Sequence, residues 1–156
     1  MNRLLPRLLA LVLSVALLSL AGCLSSTEVN SVYIHIKQVA RGVASDEIKL
    51  SVEYINENVI PIAVERTEHK VWINGKLLGT ARSNKPVGLA PTSRLADSVI
   101  LVINDKALLQ SLISSAGAAG ATYKIETRLF ILSGEDKVKG SADGSGTIDF
   151  SPLAAQ

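Results

Sequence analysis

The chain offers few side chains that could perform nucleophilic or acid–base chemistry. It contains one cysteine, Cys23, and two histidines, His35 and His69. A nucleophilic site needs a general base beside a Ser, Thr or Cys, but the alternation around His35 predicts a solvated strand face. His69 stands in a densely charged stretch, residues 65–70, which is typical of an exposed sheet face. We therefore expect neither histidine to be catalytic and the protein not to be an enzyme.

Metal binding is the next possibility. Glu65 and His69 could join a distant carboxylate, but their spacing on a strand supplies no set of four ligands. Residues 143–146, Asp-Gly-Ser-Gly, look like part of a calcium loop but lack its alternating oxygen ligands and closing glutamate. We expect a flexible turn there. The sequence predicts no resident metal and no cofactor.

An N-terminal segment with the layout of a secretory signal ends at the cysteine. Arg3 and Arg7 precede an apolar run over residues 8–20, and Ala21 and Gly22 supply the small residues that a signal peptidase needs. The alternative is an uncleaved membrane helix with an incidental cysteine. That alternative is weaker because a membrane span needs about 20 apolar residues and this run is shorter.

The four residues at the end of this segment add a second signal. Residues 20–23, Leu-Ala-Gly-Cys, resemble the lipobox of bacterial lipoproteins at all four positions. The resemblance implies cleavage between Gly22 and Cys23, a thioether-linked diacylglycerol on the Cys23 thiol and usually an acylated new N terminus. Since a second acyl chain already turns marginal membrane binding into stable anchoring, the implied partner is a membrane, held through the lipid on Cys23.

The implied location is the cell envelope. Leu24 rather than aspartate after the cysteine favours the outer membrane, facing the periplasm, under the common sorting rule for lipoproteins. Ser25 and Ser26 leave the inner membrane open, because some bacteria read those positions differently. With its one cysteine bearing lipid, the mature chain has no thiol for a disulfide and must fold by packing alone.

Length and charge limit the number of domains and the kinds of partner that the rest of the protein can have. Removal of a signal peptide, residues 1–22, would leave a lipidated tether at 23–28, one domain at 29–151 and a tail at 152–156. Arg3 and Arg7 depart with the signal, so that the mature chain has 14 basic and 14 acidic residues (16 − 2 = 14). A chain without net positive charge has no electrostatic footprint for nucleic acid.

Hydrophobic patterning predicts a mainly β domain. Apolar and polar residues alternate over several short segments, and Asn74-Gly75 between apolar runs is a strong hairpin signal. The period changes to that of a helix near residues 105–116, with Asn104 or Asp105 as N-cap. We expect an antiparallel β-sandwich of the fibronectin-III or immunoglobulin-like kind, with about seven strands and this one helix.

The stretch from residue 48 to 103 resembles the group 2 late embryogenesis abundant (LEA) domain, also called the water-stress and hypersensitive-response (WHy) domain. The family pattern is a strand, an Asn-Pro-Asn turn, a strand ending in Ile-Asn-Gly-Lys, and a proline-bearing connection to another apolar strand. Here Asn56 and Asn58 stand at the first turn, with Glu57 where the family often has proline, and Asn74 and Gly75 at the second. The resemblance implies a sandwich with one helix and a link to desiccation stress.

Two functions remain open. The first is a lipid-anchored protective or binding module that presents a charged sheet face, residues 49–53 with parts of 65–70, to envelope or client proteins. The second is an accessory subunit of an envelope transport or secretion assembly, in which edge strands beside Pro86 and Pro91 pair with a partner by strand addition. The sequence does not choose an oligomeric state.

Overall fold

The computed structural model describes residues 31–115, 120–134 and 136–154, so Gly22 and Cys23 lie outside the described residues. The described part contains eight strands and two helices. In chain order these are β1 (Val32–Arg41), β2 (Glu47–Asn56), β3 (Ile62–Ile73), β4 (Lys76–Ser83), β5 (Val87–Leu89), β6 (Ser93–Ile103), α1 (Lys106–Ser115), β7 (Ala121–Ser133), β8 (Asp136–Ile148) and α2 (Ser151–Ala154). The expectation of a mainly β chain is confirmed.

The sheet is closed, and the expected antiparallel sandwich is wrong. The strand order is β4-β6-β2-β1-β8-β7-β3, and β3 pairs back to β4, so seven strands form a ring. The ring is mixed because β1 and β8 run parallel, with Tyr33 opposite Asp143. Strand β5 pairs with β3 beyond the end of β4. Alternation predicts which side chains face inward, but it does not say whether the first and last strands of a sheet meet.

The core fills the inside of this barrel. In β2, for example, Ile48, Leu50, Val52 and Tyr54 are all buried, as the two-residue period requires. Equivalent positions of the other ring strands complete a single hydrophobic cluster. None of the helices in the described part of the chain has the length and hydropathy of a membrane span.

The two helices lie at one end of the barrel. Asp105 caps α1, because its carboxylate accepts a hydrogen bond from Leu108 N at 2.8 Å, and Leu109 and Leu112 are buried. Helix α2 forms in residues that the sequence assigns to the end of the domain and the tail; its Leu153 is buried and accepts a hydrogen bond from Arg41 Nη2 at 2.8 Å. We call this end the helix pole.

The opposite end holds the first described residue and several loops. Ser31 lies there with the β2–β3 loop, residues 57–61, and the β5–β6 loop, residues 90–92, joined by a hydrogen bond from Thr92 N to Asn58 O at 3.0 Å. The turn between β7 and β8 lies at the same end. We call this end the N-terminal pole.

Two pairings, β1–β8 and β4–β6, join the strands β6-β2-β1 to the strands β4-β3-β7-β8, and each of these two joins contains a glycine. A Cβ on Gly144 of β8 would overlap the carbonyl oxygen of Ile34 in β1, and a Cβ on Gly79 of β4 would overlap the carbonyl oxygen of Val102 in β6. Backbones can approach this closely only where no side chain separates them. The closed sheet therefore depends on these two positions remaining glycine.

Replacing Gly144 by alanine should open the join between β1 and β8. We expect Gly144→Ala to lower the free energy of unfolding by about 3 kcal/mol, because overpacking against backbone forces strands apart. Chemical denaturation followed by circular dichroism measures this change. Gly88→Ala is the matched control, since no atom of the described residues lies within 4 Å of a Cβ at that position. Equal stability of the two variants would contradict the closed join.

Candidate functional site

The outer face of the sheet forms a concave, charged groove over β3, β4, β7 and β8. Its volume is about 860 Å³. Strand register builds it in rows: Glu68 of β3 lies between Arg82 of β4 and Arg128 of β7. In the next row, Lys70 lies beside Glu126. These registers place the side chains of neighbouring strands next to one another on the outer face.

Glu68 is the electrostatic centre of the groove. Its carboxylate oxygens lie 2.8 Å from Arg82 Nη2, 3.7 Å from Arg128 Nη1 and 3.9 Å from Arg66 Nη2. The Arg66 guanidinium also stacks over the Phe130 ring, with 3.8 Å from Cζ to the ring centroid. Three cations around one carboxylate leave this part of the groove with positive charge available for another anion.

The other charged side chains in and beside the groove make fewer ion pairs than Glu68 does. Lys124 Nζ lies 2.7 Å from Glu126 Oε1, and the hydrogen bond to that carboxylate raises the pKa of the Lys124 ammonium. Within the described part of the chain, no ion pair includes Lys70 or Lys139, both of which line the groove. Exposed ion pairs contribute only about 0–1 kcal/mol to stability. These charges therefore define a surface rather than hold the fold together.

A polar cluster lies inside the barrel, behind the groove. His69 is only 1% exposed, so its expected place on an exposed face is wrong. The reason is a register shift between Val64 and Arg66, because one extra residue in a strand reverses which side chains face inward. Glu65 remains on the outer face, where it binds Lys137 Nζ at 2.9 Å. Glu65 and His69 thus lie on opposite faces and are not brought together.

Hydroxyl groups satisfy the buried imidazole. His69 Nε2 lies 2.9 Å from Thr67 Oγ1 and 3.4 Å from the Tyr54 hydroxyl, and Nδ1 lies 2.8 Å from Thr127 Oγ1. Burial lowers the pKa of His69 to about 4, and the charge of Asp97 opposes this shift. Burial also raises the pKa of the Tyr54 hydroxyl to about 12. At neutral pH the cluster is therefore uncharged, with one ring nitrogen donating and the other accepting.

Asp97 acts on the cluster through its charge. Its side chain is 9% exposed and accepts a hydrogen bond from Lys85 Nζ at 2.9 Å. Lys85 belongs to the β4–β5 loop and Asp97 to β6, and no backbone ladder among the described residues joins these two segments. This ion pair therefore connects β6 to the β4–β5 loop in the region where β6 is no longer paired with β4.

The other residues singled out from the sequence are dispersed. His35 is half-buried, and its Nδ1 lies 3.5 Å from the Tyr123 hydroxyl. Asp143 stands within β8 opposite Glu126, so the flexible turn expected at residues 143–146 is wrong. Asn74 and Gly75 form the two-residue turn between β3 and β4, with φ of 49° and 79°. Asn74 Oδ1 also accepts hydrogen bonds from Thr122 N at 3.1 Å and Thr122 Oγ1 at 3.0 Å.

Asn56 and Asn58 shape the loop at the N-terminal pole. Asn56 is 1% exposed, and its Nδ2 donates to the carbonyl oxygens of Ala90 at 2.9 Å and Ile60 at 3.1 Å. Its Oδ1 accepts from Asn58 N at 3.0 Å and Asn58 Nδ2 at 2.9 Å. One buried amide thus fixes two loops of this pole.

Comparison with known proteins gives structural likenesses only. No protein-family model matches the chain, and no curated protein matches it. The chain is similar to the crystal structure of a protein from Archaeoglobus fulgidus, with 19% identity, TM-score 0.42, and coverage of 75% of this chain and 94% of that one. It is also similar to AT1g01470 from Arabidopsis thaliana, with 17% identity, TM-score 0.42, and coverage of 80% and 82%.

A third similar structure is that of a candidate LEA protein, At2g46140.1. The identity is 14% and the TM-score 0.48, over 96% of this chain and 87% of that one. The structural neighbours therefore include a LEA-type protein, at low identity.

The buried histidine should make stability depend on pH. We expect the free energy of unfolding to fall as the pH decreases from about 6.5 to about 4, because the unfolded chain binds a proton at His69 that the folded chain excludes. At about 1.4 kcal/mol per pKa unit, the loss over this window is roughly 3 kcal/mol. Denaturation at several pH values, compared with His69→Gln, isolates this contribution.

His35→Gln serves as the control for that comparison, because it leaves the buried His69 ring in place. Its free energy of unfolding should fall over the same pH range as that of the wild type. A His69→Gln variant with the same pH dependence as the wild type would show that His69 is not buried as a neutral ring.

Proposed function

We propose that this protein is a lipid-anchored, non-catalytic binding module of the bacterial envelope that protects other macromolecules under water stress. The lipobox resemblance at residues 20–23 supports the anchor. The LEA-type pattern around Asn56, Asn58, Asn74 and Gly75 supports the link with desiccation. The mixed-charge groove centred on Glu68 is the observation that carries the binding role.

The groove suits reversible contact with polar surfaces. Arg66, Arg82 and Arg128 share one carboxylate, so a client's carboxylate or phosphate can replace part of that contact without leaving a charge unpaired. Glu126 and Asp143 offer acceptors for a client's cations in the same groove. As water is withdrawn, electrostatic contacts strengthen, and such a surface then replaces lost hydration with ion pairs.

Anchoring gives this surface a place and an orientation. Acyl chains on Cys23 hold the protein at a bilayer, and the absence of aspartate at position 24 favours the outer membrane. The clients are then envelope proteins and headgroups near that membrane. The groove lies on the side of the barrel, between the two poles, so a client can reach it from the periplasmic space.

One observation favours a second function, an accessory subunit of an envelope assembly. Among the described residues, the first part of β6, up to Ile100, pairs with β2 on one side only, because β4 pairs with β6 only at residues 101–103. Strand β5 likewise has one ladder partner in the part of the chain that the structure describes. A partner strand could join either free edge. A stoichiometric partner in detergent extracts, captured with full-length protein, would support this function over protection.

Survival after drying tests the protective function. A deletion strain should lose viability on drying, and the wild-type gene should restore it. The double variant Arg82→Glu/Arg128→Glu should restore clearly less viability than the wild-type gene, because it reverses two of the charges that surround Glu68. Lys76→Glu/Lys106→Glu makes the same charge change on exposed residues outside the groove and should complement fully.

The anchor is tested separately. Labelled fatty acid should appear on the wild-type protein and not on the Cys23→Ser variant, and only the wild type should sediment with membranes. A deletion strain that survives drying unchanged would contradict protection. An unlabelled wild-type protein would contradict anchoring whatever the survival result.

A further inference from the structure

An exposed apolar tip stands on the β2–β3 loop at the N-terminal pole. The side chains of Val59 and Ile60 are 83% and 62% exposed, and the exposed Pro61 follows them. Single exposed apolar residues are common on protein surfaces. Two consecutive β-branched residues with this exposure, in one loop, form a small apolar surface that a partner can cover.

The tip is held in place rather than left free. The Asn56 side chain donates a hydrogen bond to the carbonyl oxygen of Ile60 and accepts two hydrogen bonds from Asn58. A loop ordered in advance loses little conformational entropy when its tip enters another phase. The buried amide therefore presents Val59 and Ile60 outward at little further cost.

The N-terminal segment leaves the barrel beside this loop. Glu57 N donates to the carbonyl oxygen of Ser31 at 3.0 Å, so the first described residue lies against the loop. Cys23 precedes Ser31 by only eight residues, which span at most about 29 Å when fully extended. A lipid on Cys23 therefore keeps the N-terminal pole, rather than the helix pole, close to the bilayer.

A further apolar residue lies at the same pole. Leu132, 44% exposed, stands near the end of β7 and pairs with Ala63, just after the β2–β3 loop. The apolar surface thus extends from the loop tip toward the β7–β8 turn. Glu57, which is exposed beside the tip, is suited to remain in the hydrated headgroup layer.

We propose that Val59 and Ile60 insert into the headgroup–acyl boundary of the membrane that holds the lipidated Cys23, so that the barrel stands on its N-terminal pole. This inference rests on the proposed anchor. An acyl chain already holds the protein at the bilayer surface. A few apolar side chains are then enough for the loop to enter the headgroup–acyl boundary. The consequence is a fixed orientation, with the groove held beside the membrane and the helix pole pointing away from it.

Depth-dependent quenching tests the insertion in the full-length lipidated protein. Lipidation blocks the Cys23 thiol, so Val59→Cys introduces a single reactive thiol for an environment-sensitive fluorophore. Val43→Cys is the matched control, because Val43 is fully exposed in the β1–β2 loop at the helix pole. Each labelled protein is reconstituted in vesicles of phosphatidylethanolamine and phosphatidylglycerol that contain a spin-labelled lipid.

We expect the spin-labelled lipid to quench the probe at position 59 strongly and the probe at position 43 little, because only position 59 would lie within the about 5–10 Å depth of the headgroup–acyl boundary. Adding Ile60→Asp to Val59→Cys should reduce this quenching toward the control. Equal quenching at positions 59 and 43, in protein that floats with the vesicles, would overturn insertion and leave anchoring intact. A probe at position 59 that is shielded from water but not quenched by the spin-labelled lipid would indicate contact between protein copies. This result would also overturn insertion. Protein that does not float would overturn both proposals.

Discussion

Backbone contact at two glycines closes the sheet. Gly144 lets β8 approach β1, and Gly79 lets β4 approach β6. At each glycine, a carbonyl oxygen of the neighbouring strand occupies the space that a Cβ would need. Closure removes the free edges along most of the ring and separates an apolar inside from a charged outside. The core, the buried histidine cluster and the concave outer groove all depend on that separation.

The sequence predicts the local elements well because their signals are local. Alternation places Ile48, Leu50, Val52 and Tyr54 inside, Asn74-Gly75 places the β3–β4 turn, and Asp105 starts the helix. Closure is not local: it rests on a parallel contact between Tyr33 and Asp143, residues more than a hundred positions apart. No periodicity in either segment records that contact, which is why the expected sandwich is wrong.

The candidate site shows the same limit. A single bulge between Val64 and Arg66 reverses the facing of the second half of β3, and it alone moves His69 from the expected solvent face to the core. The sequence includes parts of residues 65–70 in a charged sheet face but does not place Arg82 and Arg128 beside them, because these two side chains converge on Glu68 only through the registers of two strand pairs. The hairpin turn at Asn74-Gly75 could have indicated the first of those registers, since a two-residue turn sets which residues face each other.

Cross-strand nuclear Overhauser effects test the closed sheet most directly. In isotopically labelled full-length protein, closure predicts contacts between backbone protons of Tyr33 and Asp143 and between those of Gly79 and Ile103. The long β2–β6 and β7–β8 ladders, which an open sheet would also form, supply the internal control. Detection of both joins together with the ladders is the predicted result. Strong ladders with neither join would show two separate sheets and contradict the closed barrel.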